Sequence, residues 1–492
     1  MKGLGVRTFK NVFWSGFGQF GSFGLRYVTF LVLAWVLSPA DIGLESLATV
    51  VILLAGDFGR MGFESVLIQR RNIDAEHYST AFWASLIFSL VIAGVISSFA
   101  REIAVLLGDP RSAPLIKALS ITIPFQAATI IPGSRLSKKM RFRAWALIQF
   151  VEQIIYGLTA LTLAFTGAGV WSLVWGRVIM MAVRVGLMWG FEPWRPSLIF
   201  EWKIFKEMIS FGFQTLTSNV LTRGLDRVDY FLVGRFLGTQ ELGYYTLAAQ
   251  LAVVPAQRLV GAVQRVAFPA LTLVQNNIKR IRSGLLQIFK YLLVLMIPYS
   301  VFLLVFSLPL IETLYDHSWL PAVPLMQIMG LTGLITAVDA ARAAFFARGR
   351  PDLWMWVILS RLLIFSALAL LMGLDGGAQG VAVTMTLAIG VTGLISMILA
   401  GRLVGMNIKM IVEHIWRPMV GGGAALSVWL ISELFVVDGV PQVLKLTMIG
   451  PVLAVVYFSF TFTEIREIVN KLFSIMSEPA VPLGIEQGER DA

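Results

Sequence analysis

The chain has 492 residues, of which 57% are hydrophobic and 14% charged, with a mean hydropathy of +0.78 and a net charge of +11. Those values exclude a soluble globular domain. The absence of cysteine excludes disulfides and thiolate metal sites, and His77, His317 and His414 are too dispersed for a zinc cluster.

Apolar runs of about 18 to 24 residues recur along the chain, long enough to cross a hydrocarbon core of about 30 Å as helices. The alternating ten-residue segments of a β-barrel are not seen. The reading is therefore all-α: a polytopic membrane protein of about fourteen transmembrane helices. The expected windows in the first part of the chain are Trp14–Leu37, Ile42–Phe58, Thr80–Ala100, Ile116–Ile131, Trp145–Phe165, Val170–Gly190 and Ile209–Leu225. Those in the second are Leu242–Val260, Tyr291–Leu310, Val323–Phe345, Leu353–Met372, Val381–Leu403, Met419–Val437 and Val443–Phe462.

The first window is too long for a signal-peptide core and reads as a first span. It carries Ser15, Gln19, Ser22, Arg26 and Thr29 at spacings of 4, 3, 4 and 3, one polar stripe at 100° per residue. Such a stripe either lines a cavity or forms an interhelical hydrogen-bonding seam with Arg26 snorkelling outward. Asp57 and Glu64 lie at and after the end of the second window. The fifth holds Glu152 and Gln153, and the sixth holds Arg177 and Arg184, seven residues apart and so on one face. The seventh is polar, with Gln214, Thr215, Thr217, Ser218, Asn219 and Thr222, and runs into Arg223, Asp226, Arg227 and Asp229. Those last four are either functional or mutual salt bridges at the outer interface. Asp339 and Arg342 in the tenth window are a candidate pair, and Arg361 lies in the eleventh. Glu152 and Arg361 fall at nearly equivalent depths, so an acid of one half facing a base of the other would form either a gate or a structural ion pair.

Charge sets the expected sidedness. With the N-terminus inside, inner segments collect clusters such as Arg135, Lys138, Lys139, Arg141 and Arg143, whereas outer ones hold scattered charges such as Arg101, Arg111 and Lys117. This positive-inside bias places both termini in the cytoplasm, and it accounts for the net charge without nucleic acid. Phe200–Phe211 and Asn277–Lys290 read as amphipathic inner-surface segments.

The chain also repeats itself. Trp35-Val-Leu-Ser-Pro-Ala-Asp-Ile-Gly-Leu-Glu-Ser-Leu-Ala48 returns as Arg235-Phe-Leu-Gly-Thr-Gln-Glu-Leu-Gly-Tyr-Tyr-Thr-Leu-Ala248. Arg141-Phe-Arg143 answers to Arg348-Gly-Arg350, and Gly167-Ala-Gly-Val170 to Gly377-Ala-Gln-Gly-Val381. Two copies of six helices share one orientation, about a pseudo-twofold axis along the membrane normal. The expected organisation is an N-lobe at 1–195, a C-lobe at 196–410, helices thirteen and fourteen at 411–476 and a disordered cytoplasmic tail at 477–492.

Four segments carry a family resemblance. They are Leu37-Ser-Pro-Ala-Asp-Ile-Gly43; Asp57-Phe-Gly-Arg-Met-Gly62 with Leu67-Ile-Gln69; the basic run Arg135 to Phe142; and Asp229-Tyr-Phe-Leu-Val-Gly234 leading into Leu242-Gly-Tyr-Tyr-Thr-Leu-Ala248. Together they resemble the Wzx-type polysaccharide-transport flippases, relatives of the lipid II flippases and MATE drug exporters. The resemblance implies two six-helix bundles that open alternately to either side of the bacterial inner membrane. It implies a substrate of undecaprenyl-pyrophosphate-linked oligosaccharide, flipped for exopolysaccharide, capsule or O-antigen synthesis. It makes Arg26 the leading substrate residue, and it gives the last two helices a groove for the lipid tail.

Arginine suits phosphate because its guanidinium fork binds phosphate oxygens in bidentate fashion and stays charged when partly desolvated. The expected substrate set is Arg26, Gln19, Ser22, Arg177, Arg184, Gln214 and Arg361. The expected coupling or gate set is Asp57, Glu152, Asp226 and Asp339, with H⁺ or Na⁺ as coupling ion and no cofactor. Expected partners are the lipid-linked oligosaccharide, membrane lipids, and a polysaccharide polymerase with other assembly proteins. Two alternatives stand beside the flippase. One is an ion-coupled MATE-like exporter; the other is a membrane polymerase or ligase of the same pathway, which would need larger loops bearing carboxylates or histidines.

Overall fold

A computed structural model describes residues 21–70, 73–225, 227–435 and 442–477. Its described residues form helices and connecting turns, with no strand among them. The long helices are α1 (Gly21–Val36), α2 (Pro39–Arg60), α3 (Ala75–Ser98), α4 (Pro110–Lys138), α5 (Phe142–Phe165), α6 (Trp171–Phe191) and α7 (Trp202–Leu225). They continue as α8 (Thr239–Leu273), α9 (Ile278–Leu314), α10 (Ala322–Ala347), α11 (Pro351–Gly373), α12 (Gly377–Val404), α13 (Ile408–Phe435) and α14 (Gln442–Ser477).

Among the described residues, eleven helices are long and apolar enough to cross a membrane; α1, α7 and α13 are not in that group. The described part of α1 is short, and α7 carries the polar residues noted above. The surface segments expected at Phe200–Phe211 and Asn277–Lys290 are continuous with α7 and α9 rather than separate helices.

The chain divides into two compact units. Unit 1 contains residues 1–37, 47–228 and 471–492; unit 2 contains 38–46 and 229–470. The division falls after α7, so α7 packs with α3 and with the short helix Phe63–Gln69 inside unit 1. The core of unit 1 joins Phe63, Leu67, Phe82, Ile131, Trp194 and Met208, with Trp189 and Trp194 set edge-on or tilted about Phe82. In unit 2, Ala337–Ala347 supplies small side chains that let α10 approach Leu285, Leu292 and Met296 of α9. A second patch in unit 2 brings α13 and α14 onto Ile297 and Val301 of α9. There the Tyr457 hydroxyl donates to the Val294 carbonyl at 2.9 Å.

The repeated segment explains itself physically. Ser38 precedes Pro39, the first residue of α2, where the fixed φ of proline suits a helix start. Its hydroxyl donates to Asp41 Oδ2 at 2.7 Å, and the Asp41 amide returns a bond to Ser38 Oγ at 3.2 Å. This is a reciprocal cap of the serine-x-x-acid kind. In the second copy Gly238, at φ +93°, precedes Thr239, and Glu241 takes the place of Asp41.

Two residues past each acid, a glycine meets the other copy's first residue. A methyl added at Gly43 would lie 1.7 Å from the Thr239 carbonyl oxygen, and one at Gly243 would lie 1.9 Å from that of Pro39. One turn on, the Thr246 hydroxyl donates to Ser46 Oγ at 3.1 Å, with both side chains buried. The two helix starts thus touch reciprocally across a local pseudo-twofold, inside unit 2.

Overpacking normally costs about 1–3 kcal/mol, and here the obstacle is backbone on both sides. Gly43→Ala or Gly243→Ala should lower the melting temperature of the purified protein by several degrees and reduce its folded yield. Gly94→Ala, where nothing lies within 4 Å of the added methyl, should stay within about a degree of wild type.

Candidate functional site

The interior of unit 1 gathers arginines from four helices. Arg26 of α1 donates through Nε to Gln153 Oε1 of α5 at 3.2 Å. Arg184 of α6 lies 3.5 Å from the carboxylate of Glu152, the preceding residue of α5. Its guanidinium also sits over the Trp145 ring at 5.9 Å, a cation–π contact. Arg223 of α7 reaches Asp57 of α2 at 2.9 Å, and Arg60 of α2 donates to Gln126 of α4 at 2.6 Å.

These pairs form one electrostatic group. Arg60 feels Arg223, Glu64, Asp57 and Arg184, and Glu152 feels both Arg184 and Arg26. Arg177, two turns from Arg184 toward the start of α6, donates to Thr49 of α2 at 2.7 Å.

Close helix contacts hold these side chains in place. A methyl at Gly157 would meet Thr29 Oγ1 at 2.9 Å, so α1 lies tight on α5 one turn from the Arg26–Gln153 bond. A methyl at Gly176 would meet Ala160 at 3.0 Å, which sets α6 on α5. At the end of α2, Met61 (φ +51°) and Gly62 (φ +68°) make a left-handed turn. That turn packs on Gly212 of α7, whose added methyl would lie 2.4 Å from the Met61 carbonyl oxygen.

The group is unevenly satisfied. Asp57 and Gln153 are each 3% exposed and Glu152 is 8% exposed. Arg60 Nε and Gln153 Nε2 have no hydrogen-bond partner among the described residues, and Glu152 Oε2 and Arg184 Nε meet only each other, as an ion pair at 3.5 Å. Buried polar atoms are normally partnered, and an interior site where several are not is suited to a polar ligand. Five arginines stand there against Asp57, Glu64 and Glu152.

Unit 2 resolves its charges differently. Arg361 of α11 donates through both terminal nitrogens to Asp339 of α10, at 3.1 and 2.7 Å, and through Nε to Thr392 of α12 at 3.0 Å. Glu152 has its own partner in unit 1, Arg184, and Arg361 has Asp339 in unit 2. One expected pairing is corrected. Asp339 is taken by Arg361 rather than Arg342, whose guanidinium lies over the Phe346 and Trp354 rings at 5.7 Å.

The remaining sequence-derived residues fall as follows. Ser22 is half-buried on α1 and Gln214 is exposed on α7. Gln19 and Asp226 lie outside the described residues, as does 478–492 of the expected tail. Arg223, one of four charges read as either functional or mutual salt bridges at the outer interface, pairs with Asp57 of α2. Its partner of 166 positions earlier, Asp57, left no local pattern to find it by. Arg60 was legible as part of the family segment Asp57–Gly62, not as a member of the expected substrate set. Asp229 accepts from the Tyr245 hydroxyl at 2.7 Å, which ties together the two halves of the last family motif.

The basic run after α4 has its own anchor. Glu192, 2% exposed just past α6, accepts from Arg135 at 2.9 Å and from Lys139, with Arg141 at 3.5 Å.

With this geometry established, the comparisons place the chain. Residues 32–324 match the model of the family described as polysaccharide biosynthesis protein. The chain belongs to that family. Within the polysaccharide biosynthesis family, it is 27% identical over 353 residues to the succinoglycan biosynthesis transport protein ExoT of Rhizobium meliloti (strain 1021), covering 72% of each chain. It is 23% identical over 428 residues to the lipopolysaccharide biosynthesis protein WzxC of Escherichia coli (strain K12), covering 84% of this chain and 85% of that one. Its fold is similar to that of the lipid II flippase MurJ in an inward closed conformation. The TM-score is 0.72 at 17% identity, over 92% of this chain and 99% of that one. A MATE-family multidrug transporter, inward-facing, gives a TM-score of 0.59 at 14% identity. For this polysaccharide biosynthesis protein, then, the all-α transporter fold expected from sequence is the observed one.

Burial raises the Glu192 carboxyl, but hydrogen bonds from Lys139 and Arg135 outweigh it and hold the group below the usual glutamate range. A depressed folded value means that Glu192 contributes stability in full above its unfolded value, near pH 4.3, and loses it as pH falls through the folded value. Glu192→Gln should therefore lower the melting temperature at pH 7, and the gap to wild type should close as pH is lowered toward 3.

Proposed function

We propose that this protein is a flippase that moves undecaprenyl-pyrophosphate-linked oligosaccharide units across the bacterial inner membrane, for exopolysaccharide, capsule or O-antigen assembly. The observation that carries this reading is the arginine surplus inside unit 1, with its unpartnered buried polar atoms. A sugar-pyrophosphate cannot cross hydrocarbon while keeping its hydration shell, so a cationic interior must replace that water. Arg26, Arg177 and Arg184 take the pyrophosphate, with Arg60 and Arg223 adding to the positive field. Gln19, Ser22 and Gln214 meet sugar hydroxyls, and the isoprenoid tail stays in lipid.

The sequence likeness to a succinoglycan transport protein and the fold likeness to a lipid II flippase both support this substrate class. A cation exporter of the MATE kind would want acids in surplus, whereas the cluster has the opposite sign. The two repeats supply bodies for alternating access, with both termini in the cytoplasm and Asp57, Glu152, Asp226 and Asp339 as coupling or gating acids for H⁺ or Na⁺. A polysaccharide polymerase on the far side of the membrane receives the flipped unit.

Deleting the gene in its polysaccharide-producing host should abolish polymer output and leave drug sensitivity unchanged, as read by polymer yield and by growth inhibition. Complementation with the native gene should restore output, and Arg26→Ala or Arg184→Ala should restore less than about a tenth of it. Normal polymer in a deletion strain lacking a second flippase would sink the proposal.

A further inference from the structure

The pairing inside the arginine group has an unusual form. Glu152 and Gln153 are adjacent on α5 and both are buried, yet they treat their partners differently. Gln153 accepts a hydrogen bond from Arg26, whereas Glu152 holds Arg184 only as an ion pair at 3.5 Å. Neither Glu152 Oε2 nor Arg184 Nε has a hydrogen-bond partner among the described residues. The Arg184 guanidinium also lies over the Trp145 ring, which gives it a second partner beside the carboxylate. Arg361 of unit 2 shows what a closed structural pair looks like in this protein: both terminal nitrogens on one carboxylate and Nε on a hydroxyl. A buried pair contributes net stability only when its geometry is good and its remaining polar atoms are satisfied. The Glu152–Arg184 pair meets neither condition.

We propose that Glu152 is an internal counter-ion that competes with the anionic ligand for Arg184 and Arg26. This rests on the reading of the arginine group as a pyrophosphate site. Before the ligand arrives, the buried Glu152 supplies the negative charge beside Arg184 and Arg26. A phosphate oxygen then takes Arg184 in bidentate geometry, which the carboxylate at 3.5 Å does not have. On release, Glu152 reclaims the arginine and displaces the anion. The exchange gives Arg184 a negative partner in both states, and the displaced Glu152 carboxylate prevents the site from holding its ligand too tightly to let it go.

Competition predicts opposite effects on binding and on transport. Inorganic pyrophosphate titrated calorimetrically into the purified full chain should bind about tenfold or more tightly to Glu152→Gln than to wild type. The same substitution should reduce polymer output in the complemented deletion strain, because release slows. Arg184→Gln and Arg26→Gln should weaken pyrophosphate binding by about tenfold or more. The chain has no cysteine, so Glu152→Cys gives a second arm that survives instability of the glutamine variant. Modified with a neutral methyl thiosulfonate it should bind tightly, and modified with a sulfonate-bearing one it should return toward wild type.

Unchanged or weaker binding by Glu152→Gln, or equal binding by the two modified cysteines, overturns the counter-ion role. If the arginine variants still weaken binding in that case, the pyrophosphate site itself stands. If neither arginine variant alters binding, the site reading falls, and the counter-ion with it.

Discussion

Hydrocarbon does not tolerate a charge without a partner, and the membrane-spanning helices of this protein carry many. Each charged side chain within a span must therefore meet an opposite charge, a hydrogen-bonding group, an aromatic face or a polar ligand. In unit 2, Arg361 meets the demand by closing on Asp339 and Thr392, while Ser396 Oγ and Glu464 Oε2 are buried without a hydrogen-bond partner among the described residues. Unit 1 leaves it partly open: its arginines outnumber its acids, and several of the buried polar atoms around them are unpartnered.

Much of the fold was legible because its signals are local. Ser38, Pro39 and Asp41 state a helix start in four residues, and Gly43 recurs at Gly243 because backbone meets backbone at both places. The repeat was therefore visible as sequence before it was visible as contact. The family segments also resolve into local causes. The turn after Asp57 needs Met61 and Gly62 in left-handed geometry against Gly212, and the basic run after α4 converges on Glu192. Where a segment answers to a turn, a cap or a close approach, one sequence suffices to flag it.

The site was legible in composition and illegible in pairing. Arg26, Arg177 and Arg184 stand out because arginine inside an apolar run is costly, and spacing alone places the last two on one face. Which acid each arginine meets depends on helix packing, and no period encodes it. Glu152 and Arg361 looked like partners by depth along the chain, yet depth is one coordinate and the rotation of each helix is another. Rotation turned Glu152 toward α6 and Arg361 toward α10. Arg223 escaped for a related reason. Sequence placed the end of α7 at an interface, whereas α7 begins ten residues before its contact with Gly62, so Arg223 sits where it reaches Asp57.

The duplication bears on why the two halves differ at all. A duplicated six-helix unit starts with the same charges at the same depths, and a symmetric pair of anion sites would bind a large headgroup twice over without distinguishing one half from the other. Divergence at a few positions is enough to break that symmetry. Arg26 aligns with Asp226, Glu152 with Arg361 at nearly equal depth, and Arg184 has no basic counterpart in α12. One copy has a bidentate lock between α10 and α11, and the other has an arginine whose carboxylate lies at 3.5 Å without a hydrogen bond. On the proposed flippase reading that division is useful, because a body that moves as a unit needs closed internal pairs, whereas a site that must bind and release needs one pair that can open. At 3.5 Å, the Glu152–Arg184 pair is the one that the proposed counter-ion role requires to open.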